Sequence, residues 1–218
     1  MKEVLNKIKE GIVDILLPRT CVACGKEGNY ICNECELFLN EAPNDTENLV
    51  TVFEYEGVIE RLIKKIKHEG LYHAVDELVE KAFAVIFRDI TRFQPFLEFL
   101  LNPDTHITYV PMSKKKEKQR GFNQAELIAK RLGEITKKEA VPLLLKIKDN
   151  RSQAGLDPRE RIENVRDSFK FSGLFFPKKV VLVDDFYASG ATTKECMRVL
   201  RQNGVEDVWR FILAKSDH

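Results

Sequence analysis

Apolar positions along the chain fall into two rhythms. In Val58–His68, Ile59, Leu62, Ile63 and Ile66 recur at helical spacing, with Arg61, Lys64, Lys65 and Lys67 on the outward side. Ala74–Arg88 repeats the pattern with Val75, Leu78, Val79, Ala82 and Ile86 on one face. Phe93–Leu101 predicts a short helix, Gly121–Ile135 a longer one, and Thr192–Asn203 a helix ended by Gly204. At the N-terminus Val4, Ile8, Ile12 and Leu16 recur every four residues, which predicts an amphipathic helix over 1–18 ended by Pro18. Strand-like runs stand between these segments: Leu49–Tyr55, His106–Met112, Val141–Lys146, a short extended piece at Asp167–Phe171, Lys179–Asp184 and Val208–Ala214. The run Lys-Val-Val-Leu-Val-Asp at 179–184 suits a parallel strand covered on both faces. Strands alternating with helices predict an α/β fold with a mostly parallel sheet.

Polar, turn-rich stretches punctuate this order. Glu41–Asn48 reads as a boundary and Asp149–Asp157 as a loop. The 218 residues suffice for one domain with a core plus a small appendage. Lys and Arg total 35 against 34 Asp and Glu, a net charge of +1, so any polyanion partner must be read from local patches. No stretch reaches the roughly 18 uncharged apolar residues of a membrane span. Glu3, Lys7, Lys9, Glu10 and Asp14 interrupt any signal-type apolar core at the N-terminus. The expectation is a cytoplasmic protein with no membrane insertion.

Four of the five cysteines fall within Cys21-x-x-Cys24 and Cys32-x-x-Cys35, seven residues apart. Two such pairs offer four thiolates to one tetrahedral ion, which selects zinc first and iron second. The alternative is a set of buried or redox-active thiols, which the reducing cytosol and the paired spacing disfavour. Four protein ligands leave no open position, so the zinc is expected to be structural. Cys196 lies on the helix after residue 190 and reads as a core thiol.

The strand at 180–183 runs into Asp184-Asp185, then Phe-Tyr-Ala188-Ser189-Gly190-Ala191-Thr192-Thr193, then a helix. A loop of small and hydroxyl residues opening a helix presents backbone N–H groups to an anion. Gly190 permits close approach of a phosphate, and carboxylates at a strand's carboxyl end accept hydrogen bonds from sugar hydroxyls. The plain alternative is a strand-to-helix turn with an Asp cap. The stretch resembles the motif by which type I phosphoribosyltransferases bind phosphoribosyl pyrophosphate (PRPP). They often carry Thr-Gly where this chain has Ser189-Gly190, and Ser supplies the same hydroxyl.

A second motif follows the strand at 106–112: Pro111-Met-Ser, a basic loop with Lys114, Lys115, Lys116, Lys118 and Arg120, then Gly121-Phe122-Asn123-Gln124-Ala125 opening a helix. On charge alone it could be a solvated loop. With its flanks it resembles the competence protein F (ComF) family, phosphoribosyltransferase-like proteins linked to DNA uptake in natural transformation. Asn150-Arg151-Ser152-Gln153-Ala-Gly-Leu156, then Arg159, Arg161, Asn164 and Phe169, follow the family's spacing. Tyr55-Glu-Gly57, Leu62–Lys67 and the four cysteines belong to the same pattern, so the resemblance covers roughly residues 15–215. The basic loop carries Lys where relatives carry more Arg.

The resemblance implies a type I phosphoribosyltransferase fold over 41–218, preceded by a helix and zinc module over 1–40. It implies that Asp184 and Asp185 hold the ribose hydroxyls of PRPP as the catalytic pair, and that Ala188, Ser189, Gly190, Ala191 and Thr192 hold its 5-phosphate. Lys114, Lys115, Lys116 and Arg120 would face the pyrophosphate, with Mg²⁺ bridging pyrophosphate and ribose. Arg151, Ser152 and Gln153 would lie in a mobile loop over the site. Two functional classes follow: a PRPP-binding factor for DNA uptake, with single-stranded DNA and uptake-machinery proteins as partners, or a phosphoribosyltransferase acting on an unidentified nitrogenous acceptor.

Overall fold

The computed structural model describes residues 18–43, 48–150 and 157–216. The expected N-terminal helix, much of the Glu41–Asn48 boundary, and Arg151, Ser152 and Gln153 lie outside them. In chain order the elements are α1 (Asn33–Glu36), β1 (Leu49–Glu54), α2 (Gly57–Glu69), α3 (Ala74–Arg88), α4 (Ile90–Leu101), β2 (Thr105–Tyr109), α5 (Lys114–Arg120), α6 (Gln124–Thr136), β3 (Leu144–Lys146), α7 (Pro158–Val165), β4 (Phe169–Phe171), β5 (Lys179–Tyr187), α8 (Ala191–Gln202) and β6 (Asp207–Lys215).

Four strands form a parallel sheet in the order β1-β6-β5-β2. β3 and β4 form a separate antiparallel pair. The α/β expectation is therefore met. The central β5 explains its own sequence: Val181 and Val183 enter one buried cluster with α2, α3, α4 and α6, while Val180 and Leu182 enter another with α8, β3 and β4. A strand covered on both faces needs apolar side chains at odd and even positions alike.

The chain leaves β2 for α6 on one face of the sheet and leaves β5 for α8 on the other. Neighbouring strands whose connections diverge in this way open a crevice at their carboxyl ends. Val110 extends the pairing, its N–H bonding the Val183 carbonyl at 2.9 Å. Residues 110–113 and 184–187 thus face each other across the crevice mouth.

One expected element needs correction, and one element has no counterpart among the expectations. The basic loop at 114–120 is a helix, α5. Ser113 caps it by accepting from the Lys116 N–H at 3.4 Å, and Gly121 ends it in the left-handed region at φ 88°. Helix α7 was not expected. Asp157 caps it, Pro158 follows at the first turn, and the Glu160 carboxylate accepts from the Asp157 N–H, a complete capping box.

Residues 20–39 pack directly on the sheet-flanking helices. Ile31 is fully buried and Tyr30 nearly so, both in the cluster shared with α2, α3 and α4. The Glu77 carboxylate on α3 accepts from the backbone N–H groups of Tyr30 at 2.9 Å and Ile31 at 2.7 Å. Lys81, one turn on, pairs with Glu36. Among the described residues, no helix is long and apolar enough to cross a membrane.

Candidate functional site

The cysteine cluster is formed by two backbone knuckles. Gly25 turns the first at φ 78°, its N–H bonding the Cys21 carbonyl at 2.9 Å, and the Cys21 N–H returns to Lys26 at 2.8 Å. Cys32 precedes α1, and the Glu36 N–H bonds its carbonyl. This brings the Sγ atoms of Cys21, Cys24, Cys32 and Cys35 within 4.8 Å of one another, all as free thiols. Four sulfurs so placed can hold a metal ion. Cys196 stands apart, fully buried behind β5, where burial pushes its thiol well up.

The crevice holds two adjoining clefts, of about 300 Å³ and about 510 Å³. The smaller is floored by Asp184 and Asp185 and walled by Ser113, Lys116, Arg120, Gln124, Lys146 and Asn150. The larger runs along the loop from Tyr187 to Thr193, with Tyr55 and Arg161 opposite. Asp184, Phe186, Thr192 and Lys67 line both.

At the floor, Asp184 accepts from the Asp185 N–H through Oδ1 at 2.9 Å. Burial, reinforced by the Asp185 carboxylate, pushes the Asp184 carboxyl up to about 8. Lys67 reaches in from the last turn of α2, its Nζ 2.8 Å from Asp185 Oδ2 and 5.3 Å from the Phe186 ring centroid. Burial opposes the Lys67 charge, but Asp185 first and Asp184 behind it outweigh that and raise its pKa.

In the loop, Gly190 takes φ 70° and Ala191 begins α8. The Ser189 hydroxyl accepts from the Ala191 N–H at 3.4 Å, and Thr193 Oγ1 donates to the Gly190 carbonyl at 3.1 Å. The first turn of α8 carries no acidic side chain, so its positive end is left for an external anion.

The opposite wall comes from the β2–α6 connection. Asn123 donates from Nδ2 to the Val110 carbonyl at 3.0 Å and accepts the Ala125 N–H at 3.1 Å, fixing where α6 starts. Arg120 donates to Gln124 Oε1 at 2.7 Å, which leaves Gln124 Nε2 buried with no partner among the described residues. Asn150 holds Ser168 Oγ through Nδ2, while its Oδ1 is likewise buried and unpaired. Buried polar atoms are rarely left without a hydrogen bond, and here three, with Asp185 Oδ2, belong to residues lining one cleft. Burial, then the Lys116 charge, lowers the Lys146 pKa. The cleft thus combines two carboxylates, several cations and unpaired amide atoms, a set fitted to a ligand bearing both hydroxyls and negative charge.

No family model matches the chain. Curated relatives do. Competence protein F of Haemophilus influenzae is 27% identical over 200 residues, covering 90% of this chain and 84% of the relative. Competence protein ComFC of Streptococcus pneumoniae is 27% identical over 196 residues, 89% of this chain and 80% of the relative. DNA utilization protein YhgH of Escherichia coli is 24% identical over 200 residues, 90% of this chain and 84% of the relative. Over about nine-tenths of its length the chain is therefore similar to competence proteins F and ComFC.

The expected site residues divide. Asp184, Asp185, Lys116, Arg120 and the loop Ala188–Thr192 all line the paired clefts. Lys114 and Lys115 line neither cleft, although they share the first turn of α5 with Lys116. Lys67, expected to face outward, is instead drawn onto Asp185. The row Ile59–Ile63–Lys67 at four-residue spacing carried that signal, since i and i+4 share a face. Lys146 and Asn150 had no local signal, because only the β3–β4 pairing and the Ser168 contact bring them to the cleft.

Proposed function

We propose that this chain, as a ComF-family protein, binds PRPP with Mg²⁺ in the paired clefts and acts in DNA uptake. The observation that carries the reading is the geometry of residues 184–193. Two carboxylates and a glycine-turned helix N-terminus stand in one crevice, opposite a cationic wall. On this reading the 190 loop takes the 5-phosphate through backbone N–H groups, and Asp184 and Asp185 accept from the ribose hydroxyls. Lys116 and Arg120 face the pyrophosphate. Mg²⁺, when bound, neutralises pyrophosphate charge beside the carboxylates. The fold is read as a type I phosphoribosyltransferase fold, with residues 41–218 as that domain and 1–40 as its metal-bearing appendage.

The DNA role rests on the relatives' names, competence protein and DNA utilization protein, together with the exposed cations Lys114, Lys115 and Lys118 on α5. Single-stranded DNA and uptake-machinery proteins are the proposed partners, in the cytoplasm. The metal of the cysteine cluster is proposed to be zinc. Four thiolates at about 2.3 Å from one ion stand roughly 3.8 Å apart, and Cys24 and Cys32 Sγ stand at 3.6 Å.

A second reading, transfer of phosphoribosyl to a nitrogenous acceptor, is favoured by one observation. Asp184 lines both clefts, and burial beside Asp185 raises its carboxyl pKa, which suits it to exchange a proton with a substrate. Pyrophosphate release from PRPP separates the readings. Release stimulated by an added amine or base establishes the transferase, whereas saturable PRPP binding without turnover across an acceptor panel supports the binding role.

A further inference from the structure

Among the described residues, Lys67 is the one cation that lines both clefts; Lys116, Arg120 and Lys146 line only the smaller and Arg161 only the larger. Its side chain is 22% exposed and that of Asp185 16%, so this ion pair is set below the surface. Lys67 is also the only partner of Asp185 Oδ2 among the described residues, and that oxygen has no geometrically good hydrogen bond. The contact is therefore one of charge, without a directional bond to lock it.

We propose that Lys67 is an internal stand-in cation: its ammonium occupies the acidic pair in the empty protein and yields Asp185 to the divalent metal when PRPP arrives. A hard divalent ion sits about 2.0–2.1 Å from a carboxylate oxygen in the Mg²⁺ case. An ammonium 2.8 Å from the same oxygen would stand close to that ion and repel it. Once displaced, the flexible lysine still lines the smaller cleft, where the pyrophosphate would lie. The arrangement discourages metal binding without PRPP, because the ion must displace a like charge. With PRPP present, the released ammonium gains an anionic partner. The proposal rests on the PRPP reading but makes a separate claim about metal binding in the absence of PRPP.

The test is calorimetric titration of Mn²⁺, a hard divalent probe, into zinc-loaded protein without PRPP. Lys67→Met should bind Mn²⁺ roughly tenfold or more tightly than the wild type, the scale of one charge-assisted contact, and adding Asp185→Asn should remove the gain. Lys116→Met removes a cation from the same cleft that does not touch Asp185, so it should give a much smaller change. With metal saturating, Lys67→Met should bind PRPP more weakly than the wild type. An Mn²⁺ affinity unchanged in Lys67→Met, or raised equally in Lys116→Met, overturns the proposal. A measurement on the wild type covers the case in which the variant fails to fold. Reductive methylation of Lys67, followed by mass spectrometry, should accelerate at saturating Mn²⁺, and an unchanged rate also overturns the proposal. Failure of the wild type to bind PRPP defeats the functional reading and leaves the Mn²⁺ comparison to decide this one.

Discussion

A side-chain carbon placed on Gly190 would lie 2.4 Å from the Tyr187 hydroxyl oxygen. Tyr187 folds back over the loop, and only a residue without a Cβ fits beneath it. Gly190 is also at φ 70°, where an L side chain is strained in its own right. Gly190→Ala is expected to cost about 1–2 kcal/mol from backbone strain alone, read by chemical denaturation. Adding Tyr187→Ala should recover the steric part and leave the strain. Gly190→Val, β-branched at positive φ, should abolish PRPP binding while far-UV circular dichroism stays α/β.

The cysteine module and the sheet domain are joined by Glu77, whose carboxylate takes two backbone N–H groups of the module. Purified protein is expected to hold about one zinc per chain, measured by elemental analysis. Removing it with a chelator should lower the melting temperature of the whole chain, because Ile31 is buried in the main core. Glu77→Ala strands two N–H groups and should destabilise by about 1.5–3 kcal/mol, the worth of hydrogen bonds to a charged group. Cys35→Ser should lose the metal and still bind PRPP, since the acidic pair and the 190 loop are held by β5 and α8.

Helix α5 sorts its cations by face. Lys116 and Arg120 line the cleft, while Lys114, Lys115 and Lys118 are exposed and line neither cleft. Changing the three exposed lysines to Ala should weaken binding to single-stranded DNA and flatten its salt dependence, measured by fluorescence anisotropy across a salt series. The same variant should bind PRPP as the wild type does. Lys116→Ala with Arg120→Ala should show the reverse. Equal loss of both ligands in both variants would mean that one surface serves both.

Much of this arrangement was readable in advance because its signals are local. The Cys-x-x-Cys pairs specify their own knuckles, and an apolar run ending in Asp184-Asp185 before small residues specifies β5, the acids and the turn into α8 together. The lysine run of α5 has no apolar stripe, so only its ends, Ser113 and Gly121, mark it as a helix. Helix α7 is marked only by Asp157, Pro158 and Glu160, which spell its capping box. Lys67 differs for another reason. Amphipathic reading divides a helix into inward and outward sides by polarity, and a lysine is assigned outward unless a buried acid elsewhere in the chain claims it. That acid, Asp185, lies 118 positions further along the sequence, so only the tertiary fold supplies it.

The most direct measurement is isothermal titration of PRPP into the wild-type protein with Mg²⁺, beside Asp185→Asn. The wild type should bind saturably at one site per chain. Asp185→Asn should bind roughly tenfold or more weakly, since one charged acceptor facing the ribose is worth about 1.5–3 kcal/mol. No heat of binding with folded, magnesium-supplied wild-type protein, or an affinity unchanged in Asp185→Asn, would contradict the assignment of this crevice to PRPP.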